Sequence, residues 1–77
     1  MSERTRALIV GTGNIAKAHA AAYAEPDIAE RAELVGVVDI DADLARAFAE
    51  QYANPAVYTD LGEALAAERP DLVHIAT

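Results

Sequence analysis

Six consecutive residues, Gly11-Thr12-Gly13-Asn14-Ile15-Ala16, set two glycines and an alanine in a G-x-G-x-x-A spacing. Each small residue has a physical use if a strand ends before the run and a helix begins within it. Gly11 permits a tight turn out of the strand, Gly13 lacks the Cβ that would block an approaching group, and Ala16 lets the helix lie close to the strand. The helix then turns its free N–H groups and the positive end of its dipole toward that gap, which suits a pyrophosphate. Asp39 is the second such residue. A carboxylate at the tip of the next strand accepts hydrogen bonds from both hydroxyls of an adenosine ribose and repels a 2′-phosphate, so the pair describes a dinucleotide site that takes NAD in preference to NADP.

Few other residues compete for a chemical role. His19 reads as a helix–sheet contact or a partly exposed side chain, and His74 as a hydrogen-bonded imidazole inside a strand. Neither belongs to an H-x-x-x-H or paired-carboxylate arrangement. Asp41, Asp43 and Asp60 read as helix-start residues, with Asp41 the better placed cap, which leaves Asp39 free. Lys17 is a surface charge within reach of a phosphate from the first turn of its helix, and Arg46 lies on the helix after Asp39, where it tempers the rejection of a 2′-phosphate. There is no cysteine, which excludes thiolate catalysis, disulfides and cysteine-ligated metal.

The elements that must hold these residues follow from periodicity. Ala7-Leu8-Ile9-Val10, Leu34-Val35-Gly36-Val37-Val38 and Leu72-Val73-His74-Ile75-Ala76 are short continuous apolar runs, the pattern of strands buried on both faces, and Val57-Tyr58 is a weaker fourth. A helix is predicted from Asn14 to about Ala24, with Ile15, Ala18 or His19, and Ala22 on one face, ended by Glu25-Pro26-Asp27. A second runs from an Asp41 cap to about Tyr52, carrying Leu44, Phe48 and Gln51 or Tyr52 at helical spacing and an Arg46–Glu50 pair. Asp60 and Glu63 form a capping-box pattern for a short third helix with Leu61 and Leu65. The order β-α-β-α-β-α-β with right-handed crossovers gives an α/β fold, a three-layer Rossmann-type half whose parallel sheet has the order 3-2-1-4 and helices on both faces.

Composition bounds the partners. Over 77 residues, 53% hydrophobic content with 25% charged content is that of a folded segment rather than a disordered one. A net charge of −7 repels nucleic acid, and no apolar run approaches the roughly 18 residues that span a bilayer. Only four apolar residues follow the opening Met1 to Arg6 before Gly11, too few for a secretory leader. A cytoplasmic location is the expectation, with a dinucleotide as partner and neither membrane nor nucleic acid. The last strand is apolar with no charge inside the run, so its free edge is an expected surface for self-association, which sedimentation tests.

Four stretches together resemble the N-terminal part of the Gfo/Idh/MocA family of oxidoreductases: Ala7 to Ala16, Val37-Val38-Asp39, Tyr58-Thr59-Asp60-Leu61, and Asp71 to Thr77. The resemblance covers essentially the whole chain. Its implications are a Rossmann domain for NAD or NADP, with Gly11, Thr12, Gly13, Asn14 and Ile15 holding the pyrophosphate, Asp39 and Ile40 flanking the ribose, and Ala76 and Thr77 bordering the cofactor further along. It also implies a reaction at a CH–OH carbon of a sugar, cyclitol or similar polyol. The family's catalytic lysine, in a Glu-Lys-Pro motif after the fifth strand, and its catalytic histidine in the C-terminal α/β domain have no counterpart in this sequence. Residues 1–77 are therefore expected to be one unit, the beginning of a longer dehydrogenase with its second domain absent, and inactive in hydride transfer alone. The rival expectation is a non-catalytic module that binds or senses NAD.

Overall fold

Residues 4–76 are described by a computed structural model. Its elements are β1 (Thr5–Val10), α1 (Asn14–Ala22), α2 (Pro26–Ala29), β2 (Ala32–Val38), α3 (Ala42–Gln51), β3 (Ala56–Tyr58), α4 (Leu61–Glu68) and β4 (Leu72–Ile75). The four strands form one parallel sheet in the order β3-β2-β1-β4, the order expected from the sequence. Ile9 and Val37 turn to one face and pack with Ala16 and Ala20 of α1 and with Ala45, Phe48 and Ala49 of α3. Leu8 and Val38 turn to the other face and pack with Ala64 of α4. The alternation of neighbouring strand residues between faces thus divides one apolar run between two cores.

One residue of β2 breaks that alternation. Ala7 pairs with Leu34 but Leu8 pairs with Gly36, so Val35 is an extra residue in the ladder. The bulge explains why Leu34 and Val37, an odd number of positions apart, both pack on the α1 and α3 side. It also sets Gly36 against the opposite core, where a Cβ would lie 2.7 Å from Leu8 Cδ1. Leu8 has no exposed surface, so it cannot yield space to a larger residue there.

Several helix expectations need correction. α1 ends at Ala22 rather than Ala24, and its inward residues are Ala16 and Ala20, with Ile15 65% exposed. On α3 the inward residues are Ala45, Phe48 and Ala49, and Leu44 is 52% exposed. On α4 it is Ala64 rather than Leu61 or Leu65. At the alanine contacts the helix lies close enough to the sheet to admit a methyl group and push larger side chains to the flanks, while Phe48 of α3 is a large side chain that packs inward. Arg46 pairs with Asp43, one turn before it, instead of Glu50. Glu25-Pro26-Asp27, expected only to end the first helix, also opens α2, because Pro26 at its first position is already set for a helix, and β2 starts at Ala32 rather than Leu34.

The edge of the sheet where the strands begin is clamped by polar contacts. The Arg6 backbone N–H donates to Asp71 Oδ2 at 2.9 Å, and the Asp71 N–H returns a bond to the Arg6 carbonyl at 2.8 Å. The Arg6 guanidinium reaches both the carbonyl and the carboxylate of Glu68, and Tyr58 donates its hydroxyl to the same carboxylate. That bond, reinforced by burial and the charge of Glu68, pushes the Tyr58 phenol above its ordinary range. β4 is the outer strand on this side, with Leu72 and Ile75 exposed.

Candidate dinucleotide site

The opposite edge, where the strands end, is open. β1 stops at Val10 because Gly11 turns the chain with φ 105°, a conformation that disfavours any side chain. The turn is tied to both neighbouring strands: the Gly11 N–H donates to the Val38 carbonyl at 2.7 Å, and the Ala76 N–H donates to the Val10 carbonyl at 2.9 Å. The glycine-rich turn therefore lies between the tips of β2 and β4.

α1 starts from Gly13, whose backbone is extended with φ −77°. No side chain caps this end and no acidic residue lies in its first turn. The first intrahelical bond is from the Lys17 N–H to the Gly13 carbonyl at 3.0 Å, so the N–H groups of Asn14, Ile15 and Ala16 have no acceptor within the helix. A Cβ placed on Gly13 meets no protein atom within 4 Å. Gly13 is thus not needed for packing or for its backbone angle, and the space in front of it is open. Asn14 and Ile15 are exposed beside that space.

Asp39 follows β2, its N–H donating to the Tyr58 carbonyl at 3.1 Å. Its carboxylate is held at both oxygens: Thr12 Oγ1 donates to Oδ2 at 2.9 Å, and the Asp41 N–H donates to Oδ1 at 2.9 Å. Asp41, in turn, caps α3 by accepting from the N–H groups of Asp43 and Leu44. Asp41 is thus the α3 cap expected from the sequence, while Asp39, expected to be free, is bonded at both oxygens. A cleft of about 350 Å³ runs beside Asp39, lined by Val10, Gly11, Ile40, Thr59 and Leu61 among others. Ile40 is 93% exposed at its rim. Among the described residues, Arg46 pairs with Asp43 and not with Asp39.

Of the expected site residues, Gly11, Thr12, Gly13, Asn14, Ile15, Asp39 and Ile40 all lie along this edge, and Ala76 borders it through its bond to Val10. Thr77 is outside the described residues. A second hollow, of about 220 Å³, lies at the other edge between the ends of α1 and α3, where Tyr23, Glu33 and Tyr52 meet. Ligands of open parallel sheets bind outside the ends of the strands, which favours the first cleft.

His19 and His74, expected as a helix–sheet contact and a hydrogen-bonded strand imidazole, meet in one cluster with Tyr23, a partner the sequence did not indicate. The His19 and His74 rings stack with centroids 4.4 Å apart, and the Tyr23 hydroxyl is 2.6 Å from His74 Nε2. Burial, and then the neighbouring His19, lowers the His74 pKa, while burial raises that of Tyr23. The Tyr23 hydroxyl and His74 Nε2 share a hydrogen bond, and the cluster fastens the second half of α1 to β4.

A parallel sheet in the order 3-2-1-4, an uncapped helix behind a glycine turn, and a carboxylate at the tip of the next strand define a Rossmann-type nucleotide-binding domain. Comparison with known proteins specifies it further. The sequence model of an oxidoreductase family with an NAD-binding Rossmann fold matches residues 5–77, and the chain belongs to this Gfo/Idh/MocA family. Among solved structures it is similar to the WlbA dehydrogenase of Chromobacterium violaceum, in complex with NADH and UDP-GlcNAcA, with 33% identity, a TM-score of 0.87 and 99% of this chain covered. It is also similar to GenD2 from gentamicin A biosynthesis in complex with NAD, with 35% identity, a TM-score of 0.83 and 100% covered. A third is the myo-inositol dehydrogenase of Lactobacillus casei, in complex with NAD(H) and myo-inositol, with 28% identity, a TM-score of 0.79 and 97% covered. This chain spans 21 to 22% of the length of those structures. No curated protein sequence matches it. Among the described residues, no helix is long and apolar enough to cross a membrane.

Proposed function

We propose that this chain forms the pyrophosphate and adenosine-ribose half of an NAD site in an oxidoreductase acting on a CH–OH carbon of a sugar, cyclitol or similar polyol. The observation that carries the reading is the start of α1: free N–H groups, no capping acid, and open space where Gly13 would carry a Cβ. Asn14, Ile15 and Ala16 donate their N–H groups to the pyrophosphate, and Asp39 accepts from the ribose hydroxyls. The same carboxylate faces a 2′-phosphate with repulsion, so NAD is preferred to NADP. Bound NAD supplies a hydride acceptor, and the residues described here bind and orient it. The substrate class is supported by the relatives, whose structures hold a sugar nucleotide or myo-inositol.

Calorimetric titration of NAD into the wild-type protein and Gly13→Val tests the site. A Cβ at this position meets nothing within 4 Å beyond the chain neighbours, so the variant is expected to stay folded, which a denaturant melt checks. Losing two charge-assisted hydrogen bonds of about 1.5 kcal/mol each costs about a hundredfold in affinity. Unchanged affinity in the folded variant overturns the assignment.

A further inference from the structure

Among the described residues, the Asp39 carboxylate is the one side chain at this edge held by a side-chain donor from a different strand–helix unit. Thr12 reaches it from the glycine turn after β1, across 27 residues of sequence, and Asp41 reaches it from the other side. Each donor occupies one carboxylate oxygen, and each oxygen keeps a second lone pair. The carboxylate is thus fixed in direction while still able to accept from two further hydroxyls. Adjacent strands in the order β2-β1 bring the two residues together, and the Gly11–Val38 backbone bond fixes the turn that carries Thr12.

We propose that Thr12 is a positioning residue for cofactor choice: its hydroxyl aims the Asp39 carboxylate, and through it the chain's preference for NAD over NADP. The proposal rests on the reading of Asp39 as the ribose acceptor. Without the threonine hydroxyl, Asp39 retains only the Asp41 N–H, and its side chain must be ordered when the ribose arrives. Ordering one such side chain on binding reduces affinity roughly fivefold. The loss falls on NAD, which uses the carboxylate as acceptor, and scarcely on NADP, which the carboxylate already repels.

The test uses the wild type, Thr12→Val, Thr12→Ser, Asp39→Ser and the double variant Thr12→Val/Asp39→Ser, each titrated calorimetrically with NAD and with NADP. Thr12→Val keeps the shape and loses the hydroxyl, and its NAD-to-NADP affinity ratio is expected to fall about fivefold. Thr12→Ser restores the donor and most of the ratio. In the Asp39→Ser background, Thr12→Val changes the ratio no further, because the carboxylate it positions is gone. Three-bond couplings at Asp39 in the free protein supply a readout independent of binding: one χ1 rotamer in the wild type and Thr12→Ser, averaged rotamers in Thr12→Val. A purely structural role for Thr12 lowers the melting temperature and leaves both the ratio and the couplings in place, which overturns the proposal. If Asp39→Ser itself leaves the ratio unmoved, or the wild type binds neither nucleotide, the ribose reading fails and this proposal falls with it.

Discussion

Helices α1, α3 and α4 begin at the same edge of the sheet, each a few residues after a strand, yet their first turns are built in two ways. α3 opens on Asp41 and α4 on Asp60, whose carboxylates accept from backbone N–H groups inside the helix, and each has a further acid in its first turn. α1 opens on a glycine with neither. An acidic cap contributes about 1 kcal/mol over alanine and a few tenths over glycine, so α1 forgoes a small stabilisation that its neighbours have. On the proposed reading the difference separates what holds the fold from what receives a ligand. At α3 and α4 the protein supplies its own anion, and at α1 it supplies none.

The largest expected effect comes from making α1 resemble the other two. In Gly13→Asp the extended backbone of residue 13 suits a capping aspartate, and its Cβ meets no neighbour. Stability should hold or rise by a few tenths of a kcal/mol, since glycine is itself an acceptable cap. NAD binding should fall by more than about a hundredfold, because a fixed negative charge takes the place of the pyrophosphate. Denaturant melts and calorimetry on one preparation measure both, and retained affinity would show that the open end of α1 is not where the phosphates bind.

The converse change is smaller. Asp60→Ala removes the acceptor for the Glu63 N–H and should cost about 1 kcal/mol of unfolding free energy, read from the urea midpoint. A drop in NAD affinity as large as that of Gly13→Asp would erase the distinction between the two kinds of helix start.

The smallest effect concerns what anchors α1 in place of a cap. His74, stacked on His19 and bonded to Tyr23, has its pKa lowered from the ordinary value near 6.5. The unfolded chain therefore binds protons that the folded chain resists. The contribution of His74 is intact above pH 6.5 and is lost as pH falls below it toward the lower folded value. His74→Gln should flatten the pH dependence of the urea midpoint in this window, and an unaltered slope would mean that the stack does not hold α1.

The sheet order and the glycine turn were legible in the sequence because both rest on local signals: continuous apolar runs for buried strands, and small residues at fixed offsets after the first. The N-caps at Asp41 and Asp60 were legible for the same reason. The inward helix faces were not, because hydropathy ranks Ile15 and Leu44 above alanine while close helix–sheet contact selects Ala16, Ala20 and Ala45 by size. The place of Thr12 beside Asp39 is implicit in the strand order 3-2-1-4, which brings the turn after β1 next to the tip of β2. The His19–Tyr23–His74 cluster offers no such signal: it joins residues 51 apart that meet only in the folded chain.

The clamp between Arg6 and Asp71 has a temporal consequence. Its partners are 65 residues apart, and β1 sits in the middle of the sheet with β2 on one side and β4 on the other. During synthesis at about 5–20 residues per second, β1 therefore waits roughly 3 to 13 s after its own emergence for the strand that covers its second edge. In that interval β1, β2 and β3 are available to pair while Leu8 and Ile9 belong to an unfinished sheet. The first strand made is among the last to be enclosed, and the nascent chain passes through a stage in which its future centre is its edge.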